Sequence, residues 1–203
     1  MKNKIILISL LIALFTLNTI LVVTDAYVSV DMTIRHFIIS FSSETTDRLM
    51  HIITFFGSTK WIVLLSVVLF AMFMFYKKKA YAYSCAALII VSTLINNGIK
   101  LIIQRPRPEY ISVVEHSFSY PSGHTMASAT LYGLLIYYLM KSNIVKKYKV
   151  IYGCLLGLLI LLVGISRIYL GAHYFSDVFG GILLSGAIVM IFALIDEKKR
   201  LIK

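Results

Sequence analysis

The stretch "SRIYLGAHYFSD", Ser166 to Asp177, places an imidazole and a carboxylate four residues apart, His173 and Asp177, with Arg167 just upstream. On a helix that begins near Ala172, residues at that spacing share a face. A carboxylate there can hold one ring nitrogen as N–H and leave the other as an acceptor. An oriented, neutral imidazole beside a bound phosphate is a nucleophile. A second histidine, His124, closes the motif "PSGH", Pro121 to His124, at the start of a predicted helix, where it can supply a proton to a leaving oxygen.

Cations accompany both histidines. "KLIIQRPRP", Lys100 to Pro108, carries Lys100, Arg105 and Arg107, and Arg167 precedes His173. Guanidinium forks match phosphate oxygens and an ammonium adds a point charge. The helix opened by "PSGH" directs its unpartnered N–H groups and its positive dipole end toward the same anion. Ser122 can cap that helix or donate its hydroxyl, and Gly123 permits close backbone approach. Lys100, Arg107, Ser122, Gly123 and Arg167 are thus candidate phosphate ligands, and Arg105 is either a further ligand or a solvated loop charge. The arrangement suits phosphoryl transfer through a phosphohistidine. The cations already neutralise a phosphate, so the expected site needs neither metal nor cofactor.

These residues need a scaffold, and composition says which kind. Of 203 residues, 59% are hydrophobic and 14% charged, against roughly a quarter charged in soluble domains; mean hydropathy is +0.87. Several apolar runs reach the ~17–25 residues that cross a bilayer. The chain reads as one all-α integral membrane domain, residues 1–203, with six transmembrane helices near 4–24, 49–76, 80–101, 123–140, 149–166 and 173–195. The second run is long and is expected to tilt, bend at Gly57 or begin with a turn around Trp61, itself read as an interfacial anchor. The first run has an apolar core longer than the ~7–15 residues of a signal peptide and reads as an uncleaved helix. Residues 25–48 are too mixed to span. They read as an amphipathic helix on the outer surface, roofing the site, or as a loop packed on the bundle.

Charge orients the bundle. Thirteen of the 20 Lys and Arg cluster at Lys2, Lys4, 77–79, Lys141, 146–149 and 198–203, all on one side of a six-helix arrangement. By the positive-inside rule that side, with both termini, is cytoplasmic, and the candidate site is extracytoplasmic. The net charge of +11 then reflects topology and contact with anionic lipid, not nucleic-acid binding.

Lys100, six residues, Arg107-Pro108; Pro121-Ser122-Gly123-His124; Ser166-Arg167, five residues, His173, three residues, Asp177: this series resembles the three-part signature of the type 2 phosphatidic acid phosphatases, the PAP2 superfamily, which includes the bacterial phosphatidylglycerophosphatase B group. The resemblance implies His173 as nucleophile, Asp177 as its orienting partner and His124 as acid. It implies Lys100, Arg107 and Arg167 with Ser122 and Gly123 as the phosphate cradle, and no metal. The implied substrate is a lipid phosphate in the bilayer, with phosphatidylglycerol phosphate favoured over phosphatidic acid and undecaprenyl diphosphate by resemblance alone. An anion channel or transporter would spread its charges through the membrane depth; here they crowd one face. Vanadate-binding haloperoxidases resemble the phosphatases at this site but are soluble.

Other polar residues carry less. His116 lies in a polar loop and is read as non-catalytic. Asn96 and Asn97 either orient Lys100 or bond between helices. Cys85 and Cys154 are expected to be small buried residues with no disulfide, and Gly180, Gly181 and Gly186 to allow close packing of the last helix.

Overall fold

The computed structural model describes residues 1–108 and 117–202. Within them the chain is all-α, with eight helices: α1 Lys2–Val23, α2 Val28–Ile39, α3 Glu44–Phe55, α4 Thr59–Phe75, α5 Lys79–Ile103, α6 Gly123–Lys141, α7 Lys146–Tyr169 and α8 Phe175–Lys199. Among the described residues, α1, α5, α7 and α8 are long and apolar enough to cross a membrane, and α3 with α4 adds a fifth crossing if the bent pair is one span. The expected crossing at 123–140 forms as α6 but lacks the hydrocarbon of a lipid-facing helix. Its position explains this: α6 packs against α4, α5, α7 and α8. It buries Thr125, Ser128 and Thr130. A helix walled by protein can carry hydroxyls if they find partners. Thr130 pairs with Ser92 of α5 at 2.9 Å, and Ser128 donates to the Thr125 carbonyl at 3.0 Å.

The long second run is two helices that meet at 43°. Gly57 sits at the break because a Cβ there would meet Val163 Cγ1 at 2.4 Å and the His124 carbonyl at 3.2 Å. Ser58 caps α4 by accepting the Trp61 N–H at 3.3 Å. Trp61, expected as an interfacial anchor, is engaged within the protein. Its indole N–H donates to Tyr132 Oη at 3.0 Å, and Tyr132 donates to the Phe56 carbonyl at 2.6 Å. A carbonyl orphaned at the end of α3 is thereby satisfied.

Residues 25–48 form α2 and the start of α3. α2 is amphipathic with its charges turned inward: Asp31 and Arg35 are buried, while Val28 and Phe37 are exposed. It packs on α7 and α8. α1 lies along α8, and its buried Asn18 donates to Tyr120 Oη and to the Ser176 carbonyl, each at 3.1 Å. Glycine admits this crowding, since a Cβ on Gly180 would stand 2.7 Å from Tyr120 Oη and one on Gly181 3.2 Å from the Ser122 carbonyl. Gly186 meets only ordinary contact with Leu11.

One smaller expectation changes. Both cysteines are free, but only Cys85 is buried and Cys154 is exposed on α7. The two acidic residues amid the basic end are both engaged, Asp196 with Lys141 at 2.5 Å and Glu197 with Lys4 at 2.9 Å. His116 lies outside the described residues.

Candidate active site

Four helix ends build the site: the C-termini of α5 and α7 and the N-termini of α6 and α8. α5 stops at Gln104, which adopts a left-handed conformation with φ 50°. α7 ends in a tight turn at Gly171, φ 71°. There the Ala172 and His173 N–H groups both donate to the Arg167 carbonyl, at 3.0 and 3.2 Å. His173 therefore precedes α8 instead of lying on it as expected. It still meets Asp177 because Asp177, in the first turn of α8, reaches back: its Oδ2 accepts the Tyr174 N–H at 2.9 Å and lies 3.4 Å from His173 Nδ1.

Both residues are essentially sealed from solvent, His173 at 1% and Asp177 at 0% exposure. Burial pushes the His173 imidazole down to about 4; Asp177 pulls it back up, while Arg167 and Arg107 push the same way as burial. The ring is thus neutral at physiological pH. With Asp177 accepting at Nδ1, the Nε2 lone pair is left available. Nε2 lies 3.3 Å from Arg107 Nη1, which also donates to the Ala172 carbonyl at 2.7 Å. Arg107 Nε donates to the Ser117 carbonyl at 2.6 Å, and Lys100 Nζ bonds Ser117 Oγ at 3.3 Å and the Phe118 carbonyl. Arg167, 2% exposed, donates to Thr54 Oγ1 of α3 at 2.9 Å.

His173, His124, Lys100, Arg107 and Gly123 line one cavity of about 200 Å³, which continues between α4, α5 and α6 past Asn96 and Thr59. Ser122 does not line it. Of the two uses expected for its hydroxyl, the structure shows the cap: Ser122 Oγ accepts from the Thr125 N–H at 3.5 Å and Thr125 Oγ1 at 3.0 Å. Asn96 binds the Pro121 carbonyl at 3.2 Å, so it joins α5 to the "PSGH" segment and does not orient Lys100. Arg105 is neither a ligand in that cavity nor a solvated charge. Its side chain is 11% exposed and forms ion pairs with Asp177 at 2.6 Å and Asp31 at 2.8 Å.

A cavity that joins an oriented imidazole, a second imidazole and two cations, Lys100 and Arg107, is equipped for phosphoryl transfer. Among the described residues no three His, Cys, Asp or Glu side chains gather as metal ligands. Residues 80–201 match the PAP2 superfamily. This chain belongs to that superfamily. It is 33% identical over 177 residues to phosphatidylglycerophosphatase B of Bacillus subtilis, covering 86% of this chain and 87% of that protein. It is 28% identical to the lipid phosphate phosphatase delta of Arabidopsis thaliana, over 55% of this chain and 30% of that one. The crystal structure of a transmembrane PAP2-type phosphatidylglycerolphosphate phosphatase from Bacillus subtilis superposes with a TM-score of 0.88 at 31% identity, covering 94% of this chain and 96% of that one. LpxE of Aquifex aeolicus superposes at 0.64 with 25% identity, over 80% and 93% of the two chains. The protein is a membrane lipid phosphatase of PAP2 type, a phosphoric monoester hydrolase.

Sequence reasoning on this PAP2 enzyme missed two residues that complete the network. Ser119, fully buried, donates to Asp177 Oδ2 and stands 3.3 Å from His173 Nδ1. Asp31 of α2 accepts the Ser176 N–H at 2.9 Å and the Ser176 hydroxyl at 2.6 Å. A serine in a polar loop gives no signal. Asp31 gave a faint one, as the carboxylate amid the apolar stretch Val28–Ile39.

Proposed function

We propose that the enzyme removes the terminal phosphate of phosphatidylglycerol phosphate at the extracytoplasmic face of the membrane. The observation that carries the mechanism is the orientation of His173: Nδ1 is held by Asp177, and Nε2 faces Arg107 in the cavity shared with His124. Nε2 attacks phosphorus and the bond from phosphorus to the headgroup oxygen breaks. His124 delivers the proton that this oxygen takes up. Lys100, Arg107 and Arg167 hold the phosphate oxygens while charge redistributes, and the start of α6 at Ser122 and Gly123 supplies its positive end. Water, deprotonated by His124, then breaks the N–P bond and releases inorganic phosphate. No step calls for a metal, because the charge is carried by the cations.

Likeness to the Bacillus subtilis phosphatases supports the substrate. The distribution of basic residues supports the topology: one domain over residues 1–203, six crossings with α6 as the protein-walled one, and both termini cytoplasmic. Purified protein offered phosphatidylglycerol phosphate, phosphatidic acid and undecaprenyl diphosphate side by side should release phosphate fastest from the first. Faster turnover of undecaprenyl diphosphate would reassign the substrate. For topology, Thr45→Cys and Lys147→Cys are compared in a chain lacking Cys85 and Cys154. An impermeant thiol reagent on intact cells should label only the first, and labelling of Lys147→Cys alone would invert the orientation.

A further inference from the structure

Arg105 stands between two buried carboxylates. Its Nη1 donates to Asp177 Oδ1 at 2.6 Å and to Ser176 Oγ at 2.8 Å, and its Nη2 donates to Asp31 Oδ2 at 2.8 Å. The guanidinium also lies over the Tyr174 ring, 4.2 Å from its centroid. Asp31 is fixed in turn, because its two oxygens take the Ser176 N–H and the Ser176 hydroxyl. It so caps the first turn of α8 from a different helix, at the positive end of that helix's dipole. We propose that Arg105 and Asp31 are positioning residues for phosphoryl transfer. Arg105, braced from behind by Asp31, pins Oδ1 of Asp177 so that Oδ2 alone is presented to His173.

The geometry gives each member one task. Asp177 has two oxygens, and only the one facing Nδ1 fixes the tautomer that leaves Nε2 nucleophilic. Rotation of the carboxylate would break that contact, and the bond from Arg105 to Oδ1 opposes the rotation. Arg105 can hold this place only if its second nitrogen is also engaged, since a guanidinium bound through one end can pivot. Asp31 engages it. α2 thereby becomes part of the catalytic assembly even though none of its residues lines the cavity of His173 and His124. The inference rests on His173 being the nucleophile and Asp177 its orienting partner.

The charges dictate an unusual outcome when residues are removed in combination. Arg105→Met leaves Asp31 and Asp177 facing each other around Ser176 without the cation between them. Asp31→Asn in the same chain removes one of the two negative charges and relieves the conflict. Full-length protein in detergent is compared for kcat, KM and product inhibition by inorganic phosphate, with elution profile and thermal midpoint as controls for folding. Arg105→Met should lower kcat by ~10²-fold, as expected for a small misplacement of a reacting group, with KM and product inhibition by inorganic phosphate within about threefold of the parent by the same logic of unaltered ground-state binding. Asp31→Asn alone should cost about tenfold, and the double variant should be about tenfold faster than Arg105→Met alone, the coupling expected of residues in one charged network. Arg105→Lys, which keeps one cationic contact, should recover part of the loss, and it carries the same kcat-against-KM reading if Arg105→Met does not fold.

Two results would overturn the proposal. Product inhibition by inorganic phosphate weakened in step with kcat would make Arg105 a phosphate ligand, and multiplicative losses in the double variant would make Asp31 and Arg105 independent structural residues. His173→Ala is run alongside. If it keeps activity, the nucleophile assignment has failed; if it is inactive while the double variant shows no recovery, only the positioning role has failed.

Discussion

Asp177→Asn is the most informative single change, because the amide cannot satisfy the partners that surround the carboxylate. Every described partner of Asp177 is a donor. Arg105 Nη1 meets Oδ1 at 2.6 Å, and Oδ2 takes the Tyr174 N–H at 2.9 Å, the Ser119 hydroxyl and His173 Nδ1. An asparagine must turn its NH2 to one side. Facing Arg105, it opposes a charged donor. Facing the other way, it opposes the Tyr174 N–H, but the Ser119 hydroxyl can rotate and His173 can shift its proton to Nε2. The charge-assisted bond to Arg105 is roughly twice as strong as a neutral one, so the second orientation wins. It leaves the nucleophilic nitrogen protonated. An inverted tautomer of this kind costs ~10⁴-fold in kcat where a carboxylate orients a catalytic imidazole. Asp177→Ala lets the ring choose its own tautomer and should retain at least about tenfold more activity than the asparagine variant, a difference of ~1.4 kcal/mol. Phosphate release from lipid substrate in detergent micelles, with trapping of the phosphoenzyme, measures both. An asparagine variant within tenfold of the parent, or an alanine variant slower than the asparagine one, would refute the assigned tautomer.

His124→Ala should lose ~10²–10⁴-fold on a lipid phosphate, the usual contribution of a general acid, and less on an aryl phosphate whose phenolate departs unaided; equal losses with no burst of phenol would remove His124 from proton transfer. Because burial holds the His173 imidazole down to about 4, its ring should stay neutral as pH falls through 6 and charge only near 4, and an NMR ring-carbon midpoint above 6 would contradict the sealed environment. Activity should persist in EDTA and be blocked by vanadate; loss in EDTA restored by magnesium would end the metal-free mechanism. Trp61→Phe removes the donor to Tyr132 beside the α3/α4 break and should cost about 1 kcal/mol of stability, read as a fall of roughly 2–4 °C in the thermal midpoint, while an unchanged midpoint would show that the bond does not hold the break.

What the sequence disclosed, and what it hid, follows from how each feature is encoded. Lipid-facing helices must show unbroken hydrocarbon, so α1, α5, α7 and α8 were legible within a few residues of their ends. α6 was read as a crossing at 123–140 and forms at Gly123–Lys141, but it is not among the helices apolar enough to cross by composition, because its neighbours are protein and its hydroxyls are paired inside. The second run was too long for one straight span, and of the outcomes expected for it the bend at Gly57 is the one that occurs; hydropathy alone does not mark it, because Gly57 and Ser58 are too small to interrupt the apolar run. Residues 25–48 were read as an amphipathic helix on the outer surface or as a loop packed on the bundle; α2 forms there, and on a membrane protein the apolar face of such a helix can point outward, while Asp31 and Arg35 point in. At the site, the residues with distinctive chemistry and fixed spacing converged on one end of the bundle as expected. Ser119 and the brace from Asp31 to Arg105 were hidden because their meaning is wholly tertiary. Asp31 and Arg105 lie 74 positions apart, and nothing in either neighbourhood names the other.

The spacing of His173 and Asp177 has its own explanation, different from the one first drawn from it. It is not the i, i+4 register of one helical face. It is the geometry of a helix start, in which Tyr174 is the N-cap of α8 and Asp177 the residue that reaches back to its N–H. Caps of this type are worth about 0.5–2 kcal/mol, so the carboxylate proposed to orient the nucleophile also secures the helix that follows it. The turn at Gly171 and the bond from His173 N to the Arg167 carbonyl then fix the histidine one residue ahead of the cap. Arg167 is thereby tied through its backbone to the nucleophile whose phosphate its side chain is proposed to bind. Helix initiation and the proposed orientation of the nucleophile share the dozen residues from Ser166 to Asp177, and Arg167, one of the proposed phosphate ligands, lies among them. Loss of one function at Asp177 therefore cannot leave the others untouched. For this reason the comparison of asparagine with alanine, which both remove the cap acceptor's charge but differ in the tautomer they impose, separates chemistry from folding where a single deletion would not.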